Sequence, residues 1–304
     1  SESFLGRALQ GSWREKVRVA TKLPHWKCET GADYDRLLNE QLQRLQTDRL
    51  DFYLIHGMDK NNFKRQREMG LFDWLGKPLA DGRVGCLGFS FHDDPATFVQ
   101  IIDTFDWDFC QVQYNYMDHN TQPGTAGVRY AASKGLAVIV MEPLLGGRLV
   151  RPPQQVEEIW ASAPVRRSPV EWSLHWLWSQ PEVTVLLSGM STLQQVEENL
   201  SYASQSRPGL FNTKDLAVVE RARAAYNELC RVNCTGCNYC QPCPNEINIP
   251  LLFELYNSGS MYGSLEFIRQ NYTHWLDAEH RAGSCVGCAE CESKCPQHLP
   301  ICGL

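Results

Sequence analysis

The sequence predicts an α/β fold with a buried parallel sheet, followed by a small, mainly α-helical domain that is rich in cysteine. Two observations predict the sheet. Short apolar segments alternate strictly with amphipathic segments of helical period, and this unit recurs six times over about 190 residues. The strand candidates are apolar throughout, as in a sheet that helices cover on both faces. The third observation is that eight of the 13 cysteines lie between Cys234 and Cys295.

The strand candidates are rich in β-branched and aromatic residues and end at or just before a polar residue. In chain order they are Val17–Lys22, Leu50–His56, Gly85–Ser90, Phe109–Tyr114, Ala137–Glu142 and Val183–Ser188.

The helix candidates repeat apolar residues three and four positions apart. In chain order they are Ser1–Leu9, Tyr34–Gln46, Phe72–Leu79, Pro95–Phe105, Val128–Gly135, Pro169–Trp178, a helix that begins near Thr192, Asp215–Cys230, Asn248–Tyr256 and Ser264–Tyr272. Gly135 is a typical helix stop, because glycine tolerates the left-handed conformation of a C-terminal cap.

Two α/β architectures fit this alternation. A doubly wound nucleotide-binding fold has the motif G-x-G-x-x-G after its first strand, and the chain lacks it there. A (β/α)8 barrel takes about 250 residues in eight units. Because Ser1 lies inside a predicted helix, we expect a (β/α)8 TIM barrel whose first two βα units are missing. This truncated barrel is predicted for residues 1–230, and the second domain for residues 231–304.

Polar residues at the strand ends support the barrel, because barrel enzymes build their sites at the carboxyl ends of the strands. In strand order these residues are Lys22, His56, Ser90, Gln111 or Asn115, Glu142 and Ser188. Taken singly, a lysine there is usually solvated and a histidine usually packs at the rim. At corresponding positions of neighbouring strands, they predict one shared site.

The predicted second domain contains two cysteine runs, C-T-G-C-N-Y-C-Q-P-C-P and C-V-G-C-A-E-C-E-S-K-C-P. The second has the spacing C-x2-C-x2-C-x3-C-P of bacterial [4Fe–4S] proteins, in which the fourth cysteine ligates the other cluster of a pair. The first run is one residue short before Cys243. We predict two clusters, with the ligands Cys234, Cys237, Cys240, Cys243, Cys285, Cys288, Cys291 and Cys295.

Two other uses of these cysteines are a structural zinc site and a disulfide framework. Zinc needs four ligands, so that a third cysteine and a C-P ending in each run are surplus. Disulfide scaffolds are small and secreted, whereas this chain is long and begins with no signal peptide. The long gap between the runs favours an α-helical dicluster domain over a compact bacterial ferredoxin.

Composition excludes some classes of function. The net charge of −6 and the pI near 5.8 argue against a nucleic-acid partner. The longest apolar run, Leu136–Leu145, is too short to span a membrane and contains Glu142. The many cysteines indicate a reducing compartment, and we expect a cytoplasmic protein.

The strand motifs resemble those of the aldo-keto reductase family, and with the cysteine-rich tail they resemble its predicted iron–sulfur subfamily. The motifs are A-T-K-L-P, L-D-F-Y-L-I-H, G-F-S-F-H, Q-V-Q-Y-N and L-L-S-G-M-S…V-E-E-N. The resemblance implies that Lys22 and His56 belong to a catalytic set of Asp, Tyr, Lys and His. The Tyr and Asp would precede Ser1, so we expect incomplete carbonyl-reductase activity from this chain.

The resemblance also implies a nicotinamide cofactor, NADP(H) or NAD(H), and a small carbonyl or alcohol substrate. The cofactor-binding positions are Ser90, Gln111, Met141, Gly146, Gly147, Ser188, Gly189, Met190, Ser191, Glu198 and Asn199. Where relatives hold basic residues for the 2′-phosphate, this chain has Gly189 and Gln195, which leaves NADPH and NADH both open. The segment Ser188–Ser191 is also explained as a plain helix cap.

Three functions follow as hypotheses. The first is an oxidoreductase that joins the nicotinamide site to [4Fe–4S] clusters, with a redox partner protein. The second is an electron-transfer protein whose barrel is a non-catalytic docking scaffold. The third is a reductase barrel with a zinc-binding interaction domain.

Overall fold

The computed structural model describes residues 1–263 and 265–304, and within them six strands form one parallel sheet. The strands are β1 Ala20–Leu23, β2 Leu50–Met58, β3 Val84–Phe91, β4 Phe109–Gln113, β5 Ala137–Met141 and β6 Val183–Leu186. Each strand pairs with the next one in the chain. This sequential order is that of a (β/α)8 barrel, whereas a doubly wound sheet reverses its order at a switch point. The predicted fold class is confirmed.

Helices connect the strands and make up most of the regular structure after β6. They are α1 Glu2–Ala8, α2 Trp13–Lys16, α3 Ala32–Leu45, α4 Lys60–Glu68, α5 Leu71–Ala80, α6 Pro95–Ile102, α7 Gly124–Ser133, α8 Gln154–Ala161, α9 Pro169–Trp178, α10 Leu193–Gln205, α11 Thr213–Glu228, α12 Ile249–Tyr262, α13 Leu265–Trp275 and α14 Glu290–Lys294. Of the predicted helix 264–272, the first residue lies outside the described residues. No helix in the described ranges is long and apolar enough to cross a membrane.

The strand β1 begins three residues later than the sequence predicts. The reason is Asp51, whose carboxylate accepts the Val19 N–H at 2.8 Å and forms an ion pair with Arg18. The side chain of Asp51 therefore takes up a backbone donor that a strand partner would otherwise receive. The alternation of strand and helix segments in the sequence does not indicate that a side chain and a strand partner compete for the Val19 N–H.

The helix α4 was not predicted, because it lacks an apolar stripe. Phe63 and Gln66 are its buried residues, and the rest of the helix is polar. The Asp59 side chain caps α4 by accepting the Asn62 N–H at 2.8 Å. The signal for this helix is the aspartate at its N-cap, which a search for apolar spacing does not detect.

Residues 1–143 and 174–210 form one compact unit, whose core lies between the sheet and its helices. Residues 144–173 and 211–304 form a second unit. In it, Trp160 stacks on Trp172 with ring centroids 5.1 Å apart, and α8 packs against α11. The boundary predicted at residues 230/231 stays a prediction.

Gly88 in β3 is required by the close approach of β4. A Cβ atom at Gly88 would lie 2.6 Å from both a ring carbon and the carbonyl oxygen of Phe109. We expect Gly88→Ala to lower the free energy of unfolding by about 1–3 kcal/mol, because the packed sheet must move apart. Denaturant titration measures this change. The control is Gly76→Ala in α5, where the added Cβ meets open space and alanine should stabilise by about 0.5–1 kcal/mol. Equal effects of the two substitutions would contradict the packing argument.

Candidate functional site

The register of the sheet brings the predicted polar residues to one edge of the first unit. Leu23 pairs with Ile55, which places Lys22 and His56 at the carboxyl ends of neighbouring strands. Ser90 pairs directly with Gln111. The carboxyl ends of parallel strands meet at one edge, so the four polar side chains belong to the same barrel mouth.

His56 lies at a bulge of β2 that Ser90 stabilises. The pairing of β2 with β3 shifts between Ile55 and Met58, and Gly57 there has a φ of 60°. The Gly57 N–H donates to Ser90 Oγ at 2.8 Å, and Ser90 is fully buried. Ser90 therefore has a structural role at this bulge, whatever else its hydroxyl donates to.

Gln111 and Met141 contact each other at the mouth. The Gln111 side-chain amide donates to Met141 Sδ at 3.2 Å, and Gln111 is 5 % exposed. A thioether is a weak acceptor. A stronger hydrogen-bond acceptor can therefore replace Met141 Sδ as the partner of the Gln111 amide.

Three residues of this mouth had no role predicted from the sequence: His25, Trp26 and His92. Trp26 is 54 % exposed, and its ring lies 5.0 Å from the ring of His56, centroid to centroid. His25 is 3 % exposed and packs edge-on against Trp26 at 5.5 Å. His25 and Trp26 follow β1 in the motif K-L-P-H-W, and His92 follows β3 in the motif F-S-F-H. This closeness to the strand ends is the sequence signal that indicates a position at the mouth.

The mouth favours neutral imidazoles. Burial, together with the charges of Lys22, His25 and His92, lowers the pKa of His56. Burial also lowers the pKa of His25. Partial desolvation lowers the pKa of His92, while the charge of Glu142 raises it. The pKa of Lys22 is lowered by burial as well.

These shifts predict that the protein loses stability on acidification. A histidine whose pKa is lower in the folded state binds its proton more readily in the unfolded chain. The free energy of unfolding is therefore expected to fall as the pH drops from the ordinary histidine pKa of 6.5 towards the lowered values. Denaturant titrations at about pH 7.5 and about pH 5.5 measure it. The decrease in the free energy of unfolding between these two pH values should be smaller in His56→Gln than in the control His274→Gln. His274 is an exposed histidine of the second unit. An equal loss in both variants would refute this origin.

The segment Ser188–Ser191 precedes α10, and a capping box occupies the helix N-terminus. Thr192 Oγ1 accepts the Gln195 N–H at 3.2 Å, while Gln195 Oε1 accepts the Ser191 N–H at 2.7 Å. Asn199 donates to Ser188 Oγ at 3.1 Å. A phosphate at this helix end would have to displace the Gln195 side chain. Gly189, Met190 and Glu198 are exposed here.

Gly146 and Gly147 lie in the second unit, in a single turn Leu145–Gly147. Both have positive φ values, 64° and 91°, and both are exposed. A Cβ at either glycine would meet open space, so the backbone conformation, not crowding, favours glycine.

The cysteines of the two runs, together with Cys302, line two recesses. The smaller, of about 20 Å³, is lined by Cys234, Cys237, Cys240 and Cys295. The larger, of about 320 Å³, is lined by Cys240, Cys243, Cys285, Cys288, Cys291 and Cys302. Cys240 borders both recesses, and burial together with the nearby Cys234, Cys237 and Cys295 raises the pKa of its thiol. The fourth cysteine of each run thus lies with the first three of the other.

The surroundings of the recesses are apolar. Val232, Ile247, Ile249 and Phe253 form a buried cluster with Cys240, and other cysteines pack against it. Within residues 1–263 and 265–304, no three His, Cys, Asp or Glu side chains come together as ligands of one metal ion. A cubane spreads its thiolates around a larger body, because each binds a different iron, whereas zinc gathers four ligands at about 2.3 Å. The donor set therefore fits [4Fe–4S] clusters.

Comparisons with known proteins match two parts of the chain. Residues 1–208 match the sequence model of the Aldo/keto reductase family, and residues 233–299 match a 4Fe-4S dicluster domain. The search of curated proteins finds no match. Among solved structures, the chain is similar to aldo-keto reductase AKR11C1 from Bacillus halodurans. The holo form has a TM-score of 0.60 and 20% identity over 73% of this chain and 77% of that one. The apo form has a TM-score of 0.59 and 21% identity over 73% and 76%.

Proposed function

Because the chain belongs to the aldo/keto reductase family and carries a 4Fe-4S dicluster domain, we propose an oxidoreductase with two kinds of redox cofactor. A nicotinamide dinucleotide and a small carbonyl or alcohol bind at the barrel mouth, and the tail holds two [4Fe–4S] clusters that exchange electrons with a partner protein. The observation that carries the proposal is that Cys295 lines the smaller recess with Cys234 and Cys237, whereas Cys243 lines the larger one with Cys285, Cys288 and Cys291. When bound, the nicotinamide supplies or accepts a hydride, and each cluster carries single electrons.

The cluster ligands divide across the two runs. Cys234, Cys237, Cys240 and Cys295 hold one cluster, and Cys243, Cys285, Cys288 and Cys291 hold the other. The one-residue deficit before Cys243 does not keep it from the larger recess, since Cys243 lines that recess together with Cys285 and Cys288.

At the mouth, the residues of this chain bind and orient the reactants. Gln111 and the hydroxyl of Ser90 would hold the nicotinamide carboxamide, and the thioether of Met141 would supply an apolar surface for the ring. The neutral imidazole of His56 donates a hydrogen bond to the substrate oxygen, which its lowered pKa favours at neutral pH. The cation of Lys22 stabilises negative charge that develops on this oxygen. Trp26 supplies an exposed apolar wall beside His56.

The dinucleotide site extends along the strand ends. Ser188, Gly189, Met190, Ser191, Glu198 and Asn199 would line its adenosine side. The Gln195 side chain must leave the capping box before a phosphate can accept the Ser191 N–H. Because Gly189 and Gln195 carry no charge, we expect no strong preference for NADPH over NADH.

The test is an anaerobic titration with NADH and with NADPH, followed by nicotinamide fluorescence. The wild-type protein should bind at least one of them. Gln111→Leu should weaken binding about 3- to 10-fold, the worth of one hydrogen bond. The control Gln100→Leu, an exposed amide on α6, should leave binding unchanged. Absence of binding by the wild-type protein would overturn the nicotinamide site. It would leave an electron-transfer protein with the barrel as a docking scaffold.

A further inference from the structure

The larger recess contains one cysteine that belongs to neither run, Cys302. It lies in the turn Ile301–Gly303 and lines the larger recess together with Cys291. Its backbone N–H donates to Glu292 Oε1 at 2.8 Å, which fastens the turn beside the residue that follows Cys291. The partly buried Ile301 anchors the same turn against the apolar cluster of the tail. The thiol of Cys302 is therefore held next to one proposed ligand.

We propose that Cys302 is a reserve ligand, which binds the iron of Cys291 when Cys291 is lost from the cluster. Five thiols, those of Cys243, Cys285, Cys288, Cys291 and Cys302, line the larger recess in addition to Cys240. A [4Fe–4S] cluster takes four of them. The inference rests on the proposed function, because it concerns the cluster assigned to this recess.

The exchange balances without an oxidant or a reductant. The iron–sulfur bond to Cys291 breaks, a bond from iron to the Cys302 sulfur forms, and the proton of the Cys302 thiol passes to the departing Cys291 thiolate. The oxidation state of the cluster does not change. Because Cys291 and Cys302 line one recess and the Cys302 N–H binds Glu292, only a local shift of the turn Ile301–Gly303 is needed.

The position of Cys302 is what singles it out. Cys28, Cys86 and Cys110 lie in the first unit, where Cys28 and Cys110 are buried. Cys230 lies four residues before the first run, but its Sγ donates to the Val232 carbonyl at 3.4 Å. Cys230 is therefore a matched control, because its thiol lies in the same unit but binds the Val232 carbonyl and lines neither recess.

The experiment counts iron and acid-labile sulfide in anaerobically purified variants and records the EPR spectrum of the reduced clusters. Cys291→Ala should retain about eight iron atoms and two [4Fe–4S] signals, as should Cys291→Ala/Cys230→Ala. Cys291→Ala/Cys302→Ala should fall to about four. Cys302→Ala alone should match the wild-type protein.

The outcomes separate this inference from the proposed function. If Cys291→Ala already holds about four iron atoms, or carries a three-iron cluster, Cys302 is not a reserve ligand. The same conclusion follows if Cys291→Ala/Cys302→Ala holds as much iron as Cys291→Ala. A wild-type protein without iron would instead overturn the proposed function itself.

Discussion

Replacing Cys285 and Cys295 together is expected to leave the protein almost without iron, although both belong to the same run. Cys285 lines the larger recess, whereas Cys295 lies with Cys234 and Cys237 in the smaller one. If the runs exchange their fourth ligands, Cys285→Ala/Cys295→Ala removes a ligand from each cluster. Cys234→Ala/Cys295→Ala then removes two ligands from one cluster and should leave about four iron atoms. Iron and sulfide counts on anaerobic protein measure both results.

The matched pair excludes the simpler arrangement, in which each run holds its own cluster. That arrangement reverses the outcome: Cys285→Ala/Cys295→Ala keeps about four iron atoms, and Cys234→Ala/Cys295→Ala keeps almost none. Both double variants are best made in the Cys302→Ala background, so that the extra thiol cannot replace Cys285. The Cys302→Ala parent, with about eight iron atoms, is the reference.

Removing the Arg167 side chain is expected to lower the free energy of unfolding of the second unit by about 3–5 kcal/mol. The Arg167 guanidinium donates to Asp215 at 2.9 Å, and the two side chains are 9 % and 8 % exposed. Its cation also lies 4.5 Å from the ring centroid of Trp172 and 5.0 Å from that of Phe211. Arg167→Ala leaves the Asp215 carboxylate buried without its partner, and a denaturant titration followed by tryptophan fluorescence measures the loss.

Two further variants test the cause of this loss. Arg223 forms an ion pair with Glu220 near the surface of α11, and Arg223→Ala should cost at most about 1 kcal/mol. Arg167→Met/Asp215→Leu removes both buried charges and should recover most of the stability lost in Arg167→Ala. A loss in Arg167→Ala no larger than that in Arg223→Ala would contradict the assignment of Arg167 as a buried structural cation.

The sequence alone determined the fold class and the chemistry of the tail. Strict alternation and apolar strands such as Ala137–Met141 require a parallel sheet covered on both faces, which holds whatever the exact strand ends. The spacing of cysteines in a run is equally local, because three thiolates on one short loop are sufficient to hold three irons of a cubane. The ends of β1 and the existence of α4 were not predictable in this way. They depend on the carboxylates of Asp51 and Asp59, which compete for backbone N–H groups.

Which groups meet depends on the packed molecule. The C-P motif predicts that a fourth cysteine joins the other run, but the short gap before Cys243 left its position open. That Cys243 lies with Cys285 and Cys288 depends on how helices α12 and α13 return the chain. The contact of Trp26 with His56 and the bond from Gly57 to Ser90 depend on register between strands distant in sequence. The partial burial of His56 and the burial of the Arg167 side chain are likewise properties of the packed molecule. Residue types and spacing determine what a segment can bind, while long-range packing determines which partners it receives.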